Sequence, residues 1–278
     1  MSDESSVSGF DSAEGSQFTV PVSRKRRAVQ AGVRAAKKVP WVKIGLAASY
    51  FAIIWPLYIM INHTAAFHHL TYHVLKIRLD EIIPFQPRWI FAYASMYAIV
   101  AVPFLFIRSN YAYLRMWFSL TMVGVIAYFI FLLYPTCDVL RPVSHPGTFS
   151  SFFLGLDNKH DSPYNCFPSL HVGFSMTAAW WVFFTAKKKV GVPVLIWGIL
   201  VSVSVLFVKE HYFADLVGGM LLSTAVSLAL YLPIRKRIRE DHLVCRHAVW
   251  IVPALLFYAA EVGIAFAKYS VTILKYIE

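Results

Sequence analysis

"NCFPSLHVGFSMTAAWWVFF", Asn165–Phe184, decides how this chain is read. From Leu170 onward it is apolar and aromatic enough for a membrane helix. Yet it opens on Pro168, Ser169 and His171, groups for which lipid offers no partner. Proline suits the first turn of a helix, where its missing N–H has no bond to lose. The free N–H groups of that turn, with the helix dipole behind them, form a cradle for an anion. The stretch therefore predicts a membrane helix with Pro168 in its first turn and chemistry at its mouth.

The composition supports a membrane protein. The 278 residues are 58% hydrophobic and 15% charged, with a mean hydropathy of +0.57. Soluble domains carry more charge and fewer long apolar runs. A net charge of +11 raises nucleic acid as a partner. The cations border apolar runs instead of covering one folded face, which excludes that class. Seven apolar segments run over Ile44–Ile61, Trp89–Ile107, Trp117–Tyr134, Ser169–Ala186, Val190–Val208, Phe213–Leu232 and Ala248–Ala267. Each approaches the ~20 residues that cross a bilayer. Pro56, Pro103 and Pro253 are tolerable inside them because neighbouring groups satisfy the freed carbonyls. The expected fold class is all-α, a multi-pass transmembrane helix bundle.

Residues 1–40 differ. A polar, Ser-rich stretch that reads as disordered leads into "RKRRAVQAGVRAAKK", Arg24–Lys38. No apolar signal-peptide core follows a short basic start. The basic run is expected to orient the first span from the cytoplasm and to attract anionic lipid headgroups. With a cytoplasmic N-terminus, 18 of the 26 Lys and Arg fall inside. They comprise the basic run through Lys43, Arg108, Arg115, Lys187–Lys189, Arg235–Arg237, Arg239 and Arg246. The other side then receives Asn62–Arg88, Pro135–Pro168 and Lys209–Tyr212, the segments that hold the unusual residues.

Among them, His211 and Asp215 are four apart at the start of a predicted helix and so share a face. The carboxylate can accept the Nδ1 proton, leaving Nε2 as nucleophile or base. An ionisable residue just inside an apolar run is costly unless paired or functional. Ser169 adds a hydroxyl donor, and His171 can protonate a leaving oxygen. Arg141 supplies a guanidinium, the side chain best shaped for phosphate. Together these make a phosphoryl-transfer set that calls for no metal and no cofactor: nucleophile, orienter, acid and cradle. Two histidines on neighbouring helices could instead ligate haem, but the adjacent Asp and the Arg-Pro pair favour phosphate. A transporter or flippase with a His/Asp proton relay is the rival reading. It predicts internal repeats, none is visible, and it gives Arg141 and Ser169 no role.

Three further features are left open. His63, His68, His69 and His73 have mixed spacing and no carboxylate or Cys nearby, and they read as a polar interfacial helix. Cys137 and Cys166 could join in an oxidising compartment or stay free. Glu261 sits inside the seventh segment, which spans or lies in the interface.

The motif order resembles the type 2 phosphatidic acid phosphatase (PAP2) superfamily, whose signature is Lys-x6-Arg-Pro, Pro-Ser-Gly-His and Ser-Arg-x5-His-x3-Asp. Arg141-Pro142, Pro168-Ser169-Leu170-His171 and Ser204-x6-His211-x3-Asp215 match it in order. "LDEIIPFQP", Leu79–Pro87, resembles a segment of one bacterial branch. The likeness covers Ile44 to Leu232. It implies a six-helix catalytic core over 41–235, with 236–278 adding a basic loop and a seventh helix. It also implies a lipid phosphate or phosphodiester substrate, His211 as nucleophile, Asp215 as its orienter and His171 as acid. Arg141, Ser169 and Lys209 would bind phosphate. Tyr134, Leu170 and Val205 depart from the signature's Lys, Gly and Arg, and Lys209 is a candidate replacement for one lost cation. Leu170 with "HYFAD" is similar to the inositol phosphorylceramide synthase branch, which moves a phosphoinositol headgroup between lipids. Whether water or a lipid hydroxyl accepts the group stays open, as does the oligomeric state.

The charge bias predicts that a Gly147→Cys variant in intact vesicles is labelled by an impermeant thiol reagent from the extracytoplasmic side. Labelling from the cytoplasmic side alone would reverse the assignment.

Overall fold

In the computed structural model the described residues are a set between Lys43 and Ile61, then 72–142 and 147–240. The polar and basic tail, His63, His68, His69, Cys245, Glu261 and the seventh segment lie outside the described residues.

The elements are α1 (Arg78–Ile82), α2 (Ile90–Ala94), α3 (Met96–Phe106), α4 (Asn110–Leu133), α5 (Phe149–His160), α6 (Leu170–Thr185), α7 (Lys188–Phe207), α8 (Phe213–Tyr231) and α9 (Arg235–Glu240). Four helical stretches are long and apolar enough to cross a membrane: Pro87–Phe106, Tyr111–Leu133, Lys188–Phe207 and Phe213–Ile234. Large apolar side chains stay exposed on them, including Phe118, Phe129, Leu133, Ile196, Leu200 and Leu221. Such a surface suits lipid tails rather than water. The chain is an all-α membrane helix bundle.

The helix that opens with PSLH is the centre of it. α6 has 16 residues, about 24 Å at 1.5 Å per residue, so it is shorter than α4, α7 and α8. It packs on α3, α4, α7 and α8, and Val172, Ala178, Ala179, Trp181 and Val182 lose all solvent exposure. Indole donors tie the layers together. Trp181 Nε1 donates to Ser119 Oγ of α4 at 2.8 Å. Trp180 Nε1 donates to Thr224 Oγ1 of α8 at 3.0 Å, and Trp197 Nε1 of α7 to Ser95 Oγ at 2.8 Å. Bonds of this kind between membrane helices contribute about 0.6–2 kcal/mol each. The first apolar segment joins the same core: Trp117 Nε1 donates to Leu46 O at 2.7 Å and Lys43 Nζ to Ile107 O at 2.7 Å.

Several boundaries depart from the sequence reading. Pro168 is not in the first turn of α6. Ser169 is the N-cap, its hydroxyl accepting from Val172 N, so the proline lies one residue outside. α4 begins at Asn110, not Trp117, because Ser109 caps it by accepting from Ala112 N. Arg115, counted as a loop charge, is therefore helical and donates to the Tyr111 hydroxyl one turn back. The second span is interrupted at Ser95. The long loop after α4 contains α5, whose "FSSFFLGLDNKH" is too short and polar to register as a span.

α6 and α8 meet at a glycine. A Cβ added to Gly219 would lie 2.6 Å from Ser169 O and 3.0 Å from Val172 Cβ. The obstacle is main chain, which cannot swing aside. Gly219→Ala should destabilise the bundle by about 1–3 kcal/mol, as overpacking does, and displace the start of α6. A thermal-unfolding midpoint in detergent equal to that of the parent would show that the helices have room to part.

Candidate active site

The loops at one end of the bundle are locked by buried polar groups. Asp80, 3% exposed, accepts from Ile77 N at 2.8 Å through Oδ2 and from Phe213 N at 2.7 Å through Oδ1. It thus joins α1 to the start of α8. Gln86 N donates to Phe207 O at 2.8 Å. Thr136 Oγ1 accepts from Cys166 N and Phe167 N, both at 2.9 Å. His73 N donates to Pro135 O at 2.9 Å. The three segments that the sequence grouped on one side therefore meet.

His211 and Asp215 are brought together by a different route from the one expected. The helix starts at Phe213, so His211 precedes it and the two do not share a helical face. Instead Asp215, in the first turn, reaches backward. Its Oδ2 accepts from Tyr212 N at 2.9 Å and lies 3.5 Å from His211 Nδ1. His211 Nδ1 and Asp215 Oδ1 have no hydrogen-bond partner among the described residues. Asp215 is wholly buried, and its main-chain oxygen accepts from Ser169 N at 3.1 Å. One residue thus holds the start of α8, the imidazole of His211 and the cap of α6.

On the far side of the His211 ring, Nε2 lies 3.5 Å from His171 Nδ1. The same His171 nitrogen is 3.4 Å from the Tyr93 hydroxyl, and the Tyr93 and His171 rings pack at 4.4 Å between centroids. Tyr93 is 1% exposed. Its position inside an apolar span gave no sequence signal, since a tyrosine there reads as packing. Ser169 spends its hydroxyl as an acceptor in the cap. The first N–H groups of α6 have no acceptor within the helix, and that of Val172 is taken by Ser169 Oγ at 3.4 Å.

Arg141 is half-buried, its side chain 13% exposed, and its fork is engaged. Nη1 donates to Asp161 O at 2.7 Å, and Nη2 is paired with Glu210 Oε2. Nε is buried without a partner among the described residues. Arg141 lies within electrostatic reach of Tyr93 and Cys166, which neighbour His171 and His211. Burial pulls its pKa down, but Glu210 and Asp161 together hold it above the usual arginine value. Glu210, 1% exposed, was not singled out in the sequence. Asn158, in the amide orientation that suits its neighbours, donates to Leu154 O at 3.2 Å and to the other Glu210 oxygen. Burial drives Glu210 well above the usual carboxylate range. Arg141 opposes this, while Asp157, Asp161 and Asp138 add to it. Lys209, at a left-handed φ of 60°, donates to Asp80 O at 2.5 Å. It is thus committed to the α1 side of the loop.

Both Cys137 and Cys166 are free thiols, so the disulfide alternative is not realised. Cys166 Sγ donates to Pro163 O at 3.4 Å, and burial holds its pKa well above the usual thiol range. Its sulfur, a His211 nitrogen and an Asp215 oxygen lie within 4.8 Å of one another. That is a donor set with metal-ligand chemistry, although ligation needs the thiolate that burial disfavours. His73, the one described member of the outer histidine group, stacks on Tyr134 at 4.0 Å and 8°.

The family model for the PAP2 superfamily matches residues 83–230, more than half of the chain. No curated protein and no solved structure matches it. The matched span runs from the end of α1 through α8 and includes Tyr93, Arg141, Ser169, His171, Glu210, His211 and Asp215. The chain belongs to the PAP2 superfamily.

Proposed function

We propose that the protein transfers a phosphoryl-containing headgroup from a membrane lipid, with His211 as nucleophile. Members of this superfamily are generally phosphatases or phosphotransferases, and the fold is that of a membrane protein. The observation that carries the finer reading is the facing pair, His211 Nε2 and His171 Nδ1 at 3.5 Å, backed by Asp215.

The chemistry runs in two displacements. The Nε2 lone pair of His211 attacks phosphorus as the bond to the leaving oxygen breaks, and His171 gives that oxygen its proton. Asp215 keeps the proton on Nδ1 and stabilises the charge that develops on the ring. In the second step an incoming hydroxyl gives its proton to His171, its oxygen attacks phosphorus, and the P–N bond breaks. Arg141 and the first-turn N–H groups of α6 balance the phosphoryl oxygens. The nitrogens stand too close to admit a phosphoryl group between them, so substrate entry must part the two rings. In this reading the catalytic domain is 41–235 and the site faces the extracytoplasmic side, with the basic tail on anionic lipid opposite. Leu170 and "HYFAD" favour a lipid acceptor, with an inositol-phosphate headgroup as the candidate cargo.

Activity should survive excess EDTA and be inhibited by vanadate, which mimics the five-coordinate phosphorus. Loss on chelation with recovery on adding back one metal would redirect attention to the Cys166–His211–Asp215 donors.

The roles separate by substitution, measured on purified protein with lipid phosphates, phosphodiesters and an activated aryl phosphate. His211→Ala should abolish all transfer. Asp215→Asn should lose roughly 10²–10⁴-fold, the range of proton-transfer and tautomer control. His171→Ala should be nearly inactive with an alkoxide leaving group, yet keep much more activity with the aryl phosphate, whose leaving group needs no proton. Equal inactivity on both, with folding intact, would remove His171 from the acid role.

A further inference from the structure

Among the described residues, the phosphate end of this site is poor in available positive charge. Tyr134 and Val205 stand where the superfamily signature carries two of its cations. Tyr134 is stacked on His73, and Val205 has no solvent exposure. Lys209 is held on the Asp80 carbonyl. Arg141 remains, but Glu210 and the Asp161 carbonyl take both ends of its fork. What it still offers is the buried Nε–H. An incoming phosphate meets a guanidinium whose charge a buried carboxyl group already answers.

Building on the phosphoryl-transfer reading, we propose that Glu210, held as a carboxylate by its ion pair with Arg141, sets the charge of the phosphate this site accepts, favouring the single charge of a phosphodiester over the two charges of a phosphomonoester. A diester monoanion can take the Arg141 Nε–H and the first-turn N–H groups of α6 while Glu210 keeps its place. A monoester carries about −1.5 to −2 at neutral pH, and its second charge would face Glu210 with no second cation to meet it among the described residues. The same burial and crowding by Asp138, Asp157 and Asp161 that lift Glu210 act equally on that second charge.

The consequence for the reaction is specific. Attack of His211 Nε2 on a diester breaks one P–O bond, and the departing alcohol takes the proton from His171. The other ester stays on phosphorus in the histidine-bound intermediate. A lipid hydroxyl then gives its proton to His171, forms the new P–O bond and breaks P–N. The product is again a diester with one charge. Water in place of the lipid hydroxyl would give His171 one proton and leave the other on the product, a monoester that loses its second proton only afterwards. Glu210 therefore acts on which phosphate ester enters the site.

The test compares the parent protein and Glu210→Gln at pH 8 on p-nitrophenyl phosphate and its methyl ester, which share a leaving group and differ by one charge. The monoester-to-diester ratio of kcat/KM should rise about 10- to 100-fold in Glu210→Gln, the effect of a unit charge ~6 Å away at an effective dielectric near 20, reduced by screening. Persisting diester activity reports a folded variant, and Glu210→Asp should hold the parental ratio. An unchanged ratio in a folded Glu210→Gln overturns the proposal. If that variant does not fold, the parent decides: dimethyl phosphate should inhibit at least as strongly as methyl phosphate. Methyl phosphate inhibiting ~10-fold more strongly overturns the proposal. A folded parent that cleaves neither ester, nor any lipid phosphate or phosphodiester, removes the phosphoryl-transfer reading itself, and the proposal with it.

Discussion

Asp215 is the constraint on which the rest of the site depends. Wholly buried at the first turn of α8, it satisfies the N–H of Tyr212 with one carboxylate oxygen. Its main-chain oxygen takes the N–H of Ser169. A buried carboxylate without such partners would cost several kcal/mol, so the chain is held to the geometry that supplies them. That geometry brings the caps of α6 and α8 together and fixes where His211 lies relative to His171. Gly219 completes the junction, since only its missing side chain lets Ser169 and α8 approach this closely.

The arrangement of helix lengths follows from the same junction. α6, with 16 residues, is shorter than α4, α7 and α8, and its start is held against α8 at Gly219 and Asp215. Ser95, Ser119 and Thr224 meet indole N–H groups of α6 and α7. In lipid these donors would otherwise have no partner. The polar interior is thus distributed along the bundle, while Asp80, Arg141, Glu210 and Asp215 are gathered at one end.

There the charge is nearly balanced within the protein. Arg141 with Glu210, Asp80 with main-chain N–H groups, and Lys209 with a carbonyl are each satisfied internally. A ligand enters such a site by competing with internal partners.

The sequence by itself determined the class of the protein and which polar residues stand at the mouths of its apolar runs. Apolar runs of membrane length, interrupted by Pro, Ser, His, Arg and Asp at a few mouths, allow little else. Those residues are costly in lipid and legible for that reason. The α4 start and α5 were misjudged because capping by Ser109 and Thr148 extends or creates helix where hydropathy gives no signal. His211 and Asp215 were paired on a helical face that does not exist at His211; the carboxylate reaches back around the cap instead. Tyr93, Glu210 and the commitment of Lys209 to Asp80 were decided by tertiary structure alone. Their partners lie 78, 69 and 129 residues away along the chain. Local periodicity carries no information over such separations, and only packing brings the groups within a hydrogen bond's reach.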